Sequence, residues 1–346
     1  MPREKQRQLI SLNKDKDNLF IAICKKEGHS FVMLGVYDKN NKVKQVLCRV
    51  GKLFTSEGGD EDSGCLFFLS KLWQILFGNG AKAQLSDEGV ARNKFDPISI
   101  SYQAYELSYR QYKEFIQLLE GLQTNENQFK VFKPIQEEGS EVTLELTTDL
   151  VFSDKVNTDK LKDNTCKLSI DNNCRHSAIQ MVEETTHTPL PSLVSTNYMS
   201  DLPYKTQLEY GSPSQDIPFY VLPVAPTAYP ELSEHKRNIL SQLYERMEHM
   251  LLIAPNSVQT QRKFQCLKDL YVQMAGPKKD QSLSELLVSI QSWRAENHLV
   301  IDELRETNLV DDFLACFTIF KRKSATAQLF DKIEENLEQA QANQIG

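Results

Sequence analysis

One stretch of the chain, residues 169–184, combines residue types that could do chemistry. Cys174 follows Asn172 and Asn173 directly and precedes a segment with helical spacing of apolar residues. Asparagine is a favoured helix N-cap, so we expect the helix to begin at Cys174, with Asn172 or Asn173 as its cap. The free N–H groups and the positive end of the helix dipole favour a thiolate in the first turn. The sequence therefore predicts a nucleophile at Cys174. The same turn would form an oxyanion site, framed by the two asparagines, in which the Cys174 N–H donates.

A nucleophilic cysteine needs a base, and His29 is our candidate. His176 lies two residues beyond Cys174 on the same predicted helix, so its side chain points away from the sulfur. His29 begins an alternating strand, and an imidazole facing the start of the cysteine helix could take the thiol proton and return it to a leaving group. A third polar group usually orients such an imidazole, and Gln45 on the following strand is our candidate for it.

The same residues also allow a purely structural interpretation. Cysteine is among the most frequently buried residue types, and a lone cysteine is usually part of a core. His29 could likewise be a core or turn histidine with satisfied hydrogen bonds. The helix cap before Cys174 and the strand that carries His29 favour the catalytic interpretation.

The composition limits the classes of function. The 346 residues carry a net charge of −7, which argues against nucleic acid as the main partner. The sequence contains no apolar run long enough to span a membrane, and its basic N-terminus lacks the apolar core of a secretory signal. We therefore expect a soluble protein. Seven cysteines without a CxxC pair indicate reduced thiols and no zinc site, so we predict neither a metal nor a cofactor.

The first part of the chain has the pattern of an α+β fold. Short β-branched runs predict strands over 19–25, 29–37 and 43–50, with a hairpin at 38–41. A further strand over 98–105 leads to a helix capped by Ser108. Two strands follow over 129–135 and 142–147, and the polar segment 153–167 is expected to be a loop before the cysteine helix. These elements predict an antiparallel sheet packed with helices.

The second part changes character. Residues 188–230 contain eight prolines and predict a linker or extended arm between domains 1–187 and 231–346. Apolar residues at helical spacing then predict four helices over 231–253, 257–274, 282–305 and 308–340, which would pack as a helical bundle. We expect this bundle to bind a protein partner.

Three segments together resemble the circularly permuted papain-like domain of NlpC-type peptidases, PPPDE peptidases and lecithin:retinol acyltransferase-type enzymes. They are GHSFVMLGVYD (28–38), LSYRQYKEFIQLLEGL (107–122) and DNNCRHSAIQMVE (171–183). In that family a histidine on a strand precedes a cysteine that opens a helix. The resemblance implies a cysteine hydrolase, whether peptidase, isopeptidase or amidase and acyltransferase, that uses a His29–Cys174 dyad without a cofactor.

The C-terminal residues 330–346 hold Glu334, Glu335 and Glu338, and they resemble the secretion signal of type IV-secreted Legionella effectors. This resemblance implies action in a host cytoplasm on a host protein or a ubiquitin-like conjugate. The simpler interpretation is the solvated end of an amphipathic helix. The alternative for the whole chain is a non-catalytic interaction protein that retains the fold and binds a host partner through its helices.

Overall fold

The chain forms two compact units, Met1–Val221 and Leu222–Gly346. A computed structural model describes residues 7–55, 81–89, 97–125, 127–152, 156–190, 194–276, 281–304 and 323–345. In these residues the first unit is a mixed α+β structure with a large antiparallel sheet, and the second unit is helical. The predicted α+β class with an antiparallel sheet is confirmed at this level.

The large sheet has nine strands among the described residues, in the order β11-β10-β6-β2-β3-β4-β5-β9, with β12 paired to β6. Their bounds are Asn18–Lys26 (β2), His29–Tyr37 (β3), Val43–Phe54 (β4), Ala81–Asp87 (β5), Ile98–Leu107 (β6), Lys167–Leu168 (β9), Tyr204–Glu209 (β10), Ser212–Pro213 (β11) and Val221–Leu222 (β12). Strands β2 and β3 are buried along almost their whole length, which explains their nearly continuous apolar sequence.

The hairpin between β3 and β4 has a local cause. The Asp38 carboxylate accepts hydrogen bonds from the N–H groups of Asn40 and Lys42, and Asn41 adopts a positive φ of 57°. Aspartate and asparagine suit such a turn because their short polar side chains tolerate the left-handed region and bond to nearby backbone. The turn sets the register of β3 against β4, and that register positions the site described below.

Three helices belong to the first unit: α1 (Tyr109–Leu122), α2 (Asp159–Thr165) and α3 (Cys174–Thr186). Ser108 caps α1 through a capping box with Gln111, as its sequence predicts. Helix α3 packs against β2, β3, β4 and α1. The loop predicted over 153–167 is partly wrong, because α2 and β9 form there. Burial of Leu161 and packing of α2 against α3 and β5 stabilise this polar segment.

A separate three-stranded sheet has the order β1-β8-β7. Its strands are Leu9–Asn13 (β1), Val131–Glu138 (β7) and Glu141–Thr147 (β8), all antiparallel. Gly139 supplies the positive φ of 59° that the turn between β7 and β8 requires.

The proline-rich segment 188–230 does not form the predicted linker. Strand β10 lies within it and pairs with β6, and Phe219 stacks on Tyr102 at 4.3 Å between ring centroids. The boundary between the units falls at Val221 and Leu222, so most of this segment belongs to the first unit. Prolines end its strands early without preventing its aromatic residues from packing on the sheet.

The second unit contains a short 3₁₀ turn (Pro226–Ala228) and helices α4 (Glu234–Ile253), α5 (Val258–Ala275), α6 (Leu283–Asp302) and α7 (Ala325–Ile345). Adjacent helices pack in pairs, α4 on α5, α5 on α6 and α6 on α7, and α4 also contacts α7. Of the last predicted helix, residues 308–322 lie outside the described residues. Within the part of the chain that the structure describes, no helix has the length and apolar character needed to cross a membrane.

Candidate active site

Cys174 is the first residue of α3, where the sequence predicts it. Asn173 is the N-cap, and its side-chain oxygen accepts the N–H groups of Arg175 at 2.9 Å and His176 at 3.2 Å. The Asn173 amide also donates to the Ile170 carbonyl at 2.9 Å, which fixes the cap itself. The Cys174 side chain is almost buried, with 8% of the residue exposed.

The sulfur of Cys174 lies against the first two residues of β3. It accepts the backbone N–H of Ser30 at 3.2 Å, and its interaction with the His29 imidazole raises the pKa of His29 and lowers that of Cys174. The structure therefore brings together the two residues that the sequence selects, although they are far apart in the chain.

A carboxylate holds the other side of the imidazole. Nε2 of His29 lies 2.8 Å from Oε1 of Glu88, and the imidazole interacts with both this carboxylate and Cys174. Glu88 follows the end of β5, and its own N–H donates to the Arg49 carbonyl at 2.9 Å. Cysteine, histidine and glutamate thus form a connected triad, in which the carboxylate orients the base as in other nucleophile–base–acid arrangements.

The triad depends on a close approach at Gly51 of β4. A Cβ atom at this position would lie 2.5 Å from Oε1 of Glu88 and 2.6 Å from Nε2 of His29. No real side chain tolerates such distances, so the contact between the carboxylate and the imidazole needs a residue without a Cβ here.

The electrostatics favour a charged pair. Burial lowers the pKa of His29, but hydrogen bonds and charge from Cys174 and Glu88 raise it to about 9. Burial raises the pKa of the Cys174 thiol, yet His29 and the Ser30 N–H overcome it, and the pKa lies below its ordinary value of 9.0. Burial also opposes ionisation of Glu88, whose pKa is nevertheless lowered by His29 and by the cations Arg49 and Lys26. Both shifts favour the thiolate–imidazolium form of the pair over the neutral form.

A buried arginine connects the start of α3 to the neighbouring backbone. Arg175 is fully buried, and its Nε donates to the Ser30 hydroxyl at 2.9 Å. Its terminal nitrogens donate to the carbonyls of Ser195 and Ser200, each at 3.0 Å. The Ser30 side chain also lowers the pKa of the Cys174 thiol. Arg175 thus fixes both the serine beside the thiolate and the segment that precedes β10.

A buried lysine stabilises the turn before Cys174. Nζ of Lys52 donates to the carbonyl of Asn164 at 2.6 Å, to the carbonyl of Asn172 at 3.0 Å and to the Asn172 side chain at 2.8 Å. Burial lowers the pKa of Lys52 to about 8, against the charges of Cys166 and Cys174, which raise it. Asn172 therefore anchors the turn and does not cap the helix, whereas Asn173 does.

The start of α3 also leaves a donor for a developing negative charge. Asn173 takes the N–H groups of the next two residues, and the N–H of Cys174 itself has no acceptor among the described residues. It lies beside the sulfur at the positive end of the helix, the position an oxyanion donor requires.

The structure corrects the third predicted catalytic residue. Gln45 lies on β4 opposite Val36, at the far end of the strand pair from His29, and its amide donates to the carbonyl of Val46 at 3.0 Å. Glu88 occupies the position beside His29 that Gln45 was expected to fill. Among the described residues, the Cys174 sulfur accepts the Ser30 N–H, and the imidazole that lowers its pKa is that of His29 and not that of His176.

Sequence reasoning missed Glu88, Ser30, Gly51 and Lys52. The signal for Glu88 was its place in Asp87-Glu88-Gly89, an acidic pair before a glycine at the end of a strand. The signal for Gly51 was a glycine inside an otherwise apolar strand, which often marks a close approach of another group. No group of three metal-ligating side chains occurs in the described part of the chain.

Comparison of the chain with protein-family models, with curated proteins and with solved structures finds no match. The functional argument therefore depends on the geometry of the site.

Proposed function

We propose that the protein is a cysteine-dependent hydrolase, with Cys174 as nucleophile, His29 as general acid and base, and Glu88 as the group that orients and charges the imidazole. The observation that carries this proposal is the connected series from sulfur to imidazole to carboxylate. A structural cysteine in a core needs none of these groups, and perturbed titratable groups tend to cluster at functional sites.

The first half of the reaction forms a thioester. The Cys174 thiolate attacks the carbonyl carbon of an amide, isopeptide or thioester, and the carbonyl oxygen becomes an oxyanion that accepts the Cys174 N–H. The intermediate then collapses. Its bond to the leaving group breaks, and His29 gives its proton to the departing nitrogen or sulfur, so that an acyl-enzyme and a neutral leaving group remain.

The second half restores the enzyme. Neutral His29 takes a proton from water, the hydroxide attacks the thioester carbon, and the carboxylic acid product departs from the Cys174 sulfur. The sulfur leaves as a thiolate beside the reprotonated imidazolium, which is the resting state. An amine or alcohol in place of water would make the same site an acyltransferase.

The order of the site in the chain supports a permuted papain-like domain: His29 on a strand, Glu88 after a later strand, and Cys174 at the start of a helix. We propose that fold for the first unit, with a peptide or ubiquitin-like conjugate as substrate. The helices of the second unit would bind a partner. Action in a host cytoplasm after type IV secretion remains part of the same proposal.

A search for the acyl-enzyme tests the function. The wild-type protein and a Cys174→Ala variant are incubated with a cell lysate, quenched in acid and digested. We expect a hydroxylamine-labile mass on the wild-type peptide that contains Cys174, and none on the peptide that contains exposed Cys166. The absence of any such adduct, together with identical lysate products for both proteins, would overturn the proposal.

A further inference from the structure

A cation that forms no ion pair with a carboxylate among the described residues lies beside the triad. Arg49 of β4 is half-buried, and its Nε is buried without a hydrogen-bond partner. Its guanidinium lies 4.9 Å from the centroid of the Phe31 ring, and no carboxylate within the described residues forms an ion pair with it. Removing a charge from water costs free energy unless an opposite charge compensates for it. A bound anion would therefore reduce the cost of burying the Arg49 guanidinium.

The register of the sheet places Arg49 in line with the base. Phe31 pairs with Gly51 and Met33 with Arg49, and side chains two residues apart on a strand share a face. His29, Phe31, Arg49 and Gly51 therefore lie on one face. The His29 ring stacks on Phe31 at 6.1 Å between centroids, and Arg49 covers the same Phe31 ring.

Cys174 approaches from the other face. The side chains of Ser30 and Lys52, which alternate with His29 and Gly51, bond to Arg175 and Asn172 at the start of α3. The imidazole thus lies on the face that carries Arg49 and also interacts with the sulfur. Lys26, paired with His29 across β2 and β3, adds a second positive charge near this face.

These positions point to the chemistry of the leaving group, an inference that rests on the proposed hydrolase function. We propose that Arg49 binds a carboxylate on the leaving-group side of the substrate. His29 delivers its proton to the leaving nitrogen, so the leaving group must lie along the imidazole. Arg49, which forms no ion pair with a carboxylate among the described residues, lies on the same face of the sheet as this imidazole. Glu88 cannot neutralise Arg49 fully because its carboxylate is held by His29. A guanidinium binds a carboxylate through two parallel hydrogen bonds, which suits peptides or acylated amino acids whose departing amine carries an acidic group.

Two thiosulfonate reagents of opposite charge test whether Arg49 creates a positive electrostatic potential beside Cys174. The test needs no known substrate. Sulfonatoethyl and trimethylammonioethyl methanethiosulfonate share a reactive group and a spacer, and mass spectrometry reports their rates at Cys174 separately from Cys166. We expect Arg49→Gln to lower the ratio of the anionic to the cationic rate at Cys174 by about tenfold, since removing one charge acts oppositely on the two reagents. Arg49→Lys should retain most of the ratio. Arg110→Gln, which removes an exposed arginine of α1, should retain all of it.

A competition experiment distinguishes a carboxylate site from a general positive field. Glutarate should slow modification of wild-type Cys174 by neutral iodoacetamide, glutaramide should not, and Arg49→Gln should lose the glutarate effect. An unchanged rate ratio in Arg49→Gln, or equal glutarate protection in both proteins, would overturn the inference while leaving the hydrolase proposal intact. Slow modification of Cys174 that does not depend on His29 would instead overturn the hydrolase proposal.

Discussion

At the scale of single residues, Gly51 creates the space in which the base meets its carboxylate. Replacing it with alanine would place a methyl group within 2.6 Å of both Oε1 of Glu88 and Nε2 of His29. We expect Gly51→Ala to separate these two groups and to slow alkylation of Cys174 by roughly tenfold, equivalent to about one pKa unit of lost imidazolium stabilisation. Alkylation rates at pH 7 with mass-spectrometric detection measure this.

Gly28 is the matched control for this substitution. It directly precedes His29, yet a Cβ atom there would meet nothing within 4 Å. Gly28→Ala should therefore keep the wild-type rate. Equal rates for Gly28→Ala and Gly51→Ala would show that the close approach at Gly51 has no role.

The charge of His29 depends on Glu88. Interactions with Cys174 and with Glu88 raise the pKa of His29 to about 9 from 6.5. They therefore stabilise the folded protein fully below pH 6.5, and the contribution is lost as the pH rises through 9. We expect Glu88→Gln to lower the pKa of His29, because the substitution removes a raising charge and leaves the effect of burial. The unfolding free energy should then decline at a lower pH than in the wild type. NMR titration of the His29 ring measures the shift.

Glu114→Gln provides the corresponding control. Glu114 accepts a hydrogen bond from Nε2 of His187 at 2.9 Å on the exposed side of α1. Its substitution should leave the pKa of His29 unchanged. A His29 pKa that is the same in Glu88→Gln and wild type would contradict the assigned role of Glu88.

At this scale, local patterns predicted that Cys174 begins a helix and that His29 begins a strand, and helix capping left Asn172 and Asn173 as the two candidates for the cap. It was insufficient for Glu88, whose place beside His29 is set by the pairing of β4 with β5. The prediction of Gln45 as the third residue was wrong. Gln45 lies on the strand next to β3, but its position in the sequence does not specify the register of the two strands, which places it opposite Val36 and far from His29.

At the scale of elements, the start of α3 is held to its surroundings by Arg175. Replacing Arg175 with methionine would leave the carbonyls of Ser195 and Ser200 and the hydroxyl of Ser30 without a donor. The Ser30 hydroxyl is buried, and a buried group deprived of a charged partner costs about 1–3 kcal/mol, so we expect a loss of about 2 kcal/mol in unfolding free energy. Urea denaturation measures it.

The exposed Arg110 on α1 is the comparison, since its pair with Glu114 is solvated and contributes little to stability. A destabilisation by Arg175→Met no larger than that by Arg110→Met would contradict a structural role for the buried guanidinium. The sequence did not predict this role of Arg175, because the carbonyls it binds lie in a segment whose prolines predicted a linker.

At the scale of the whole molecule, the first unit ends later than its sequence pattern suggests. Strand β10 pairs with β6, and Tyr204 and Phe219 pack around Tyr102. We expect a fragment of residues 1–221 to fold and to retain the reactivity of Cys174, whereas a fragment of residues 1–187 should expose this apolar surface and aggregate. Circular dichroism, size-exclusion chromatography and alkylation rates check both. A folded, reactive 1–187 fragment would contradict the boundary at Val221.

Helix and strand patterns predicted most elements of both units, since amphipathic spacing and turn residues act locally. The extent of the first unit was not predicted. Its last strands are short and rich in proline, and they are stabilised by contacts with residues about a hundred positions earlier. Such contacts have no local signature in one sequence.

The central claim is that His29 activates Cys174 as a thiolate. The most direct test compares the alkylation rate of Cys174 by iodoacetamide at pH 6–7 in wild type and in His29→Ala, with exposed Cys166 as the internal standard. We predict rapid alkylation of Cys174 in the wild type, at least about tenfold slower alkylation in His29→Ala, and an unchanged rate at Cys166 in both. Equally slow alkylation of Cys174 in the two proteins would contradict the claim.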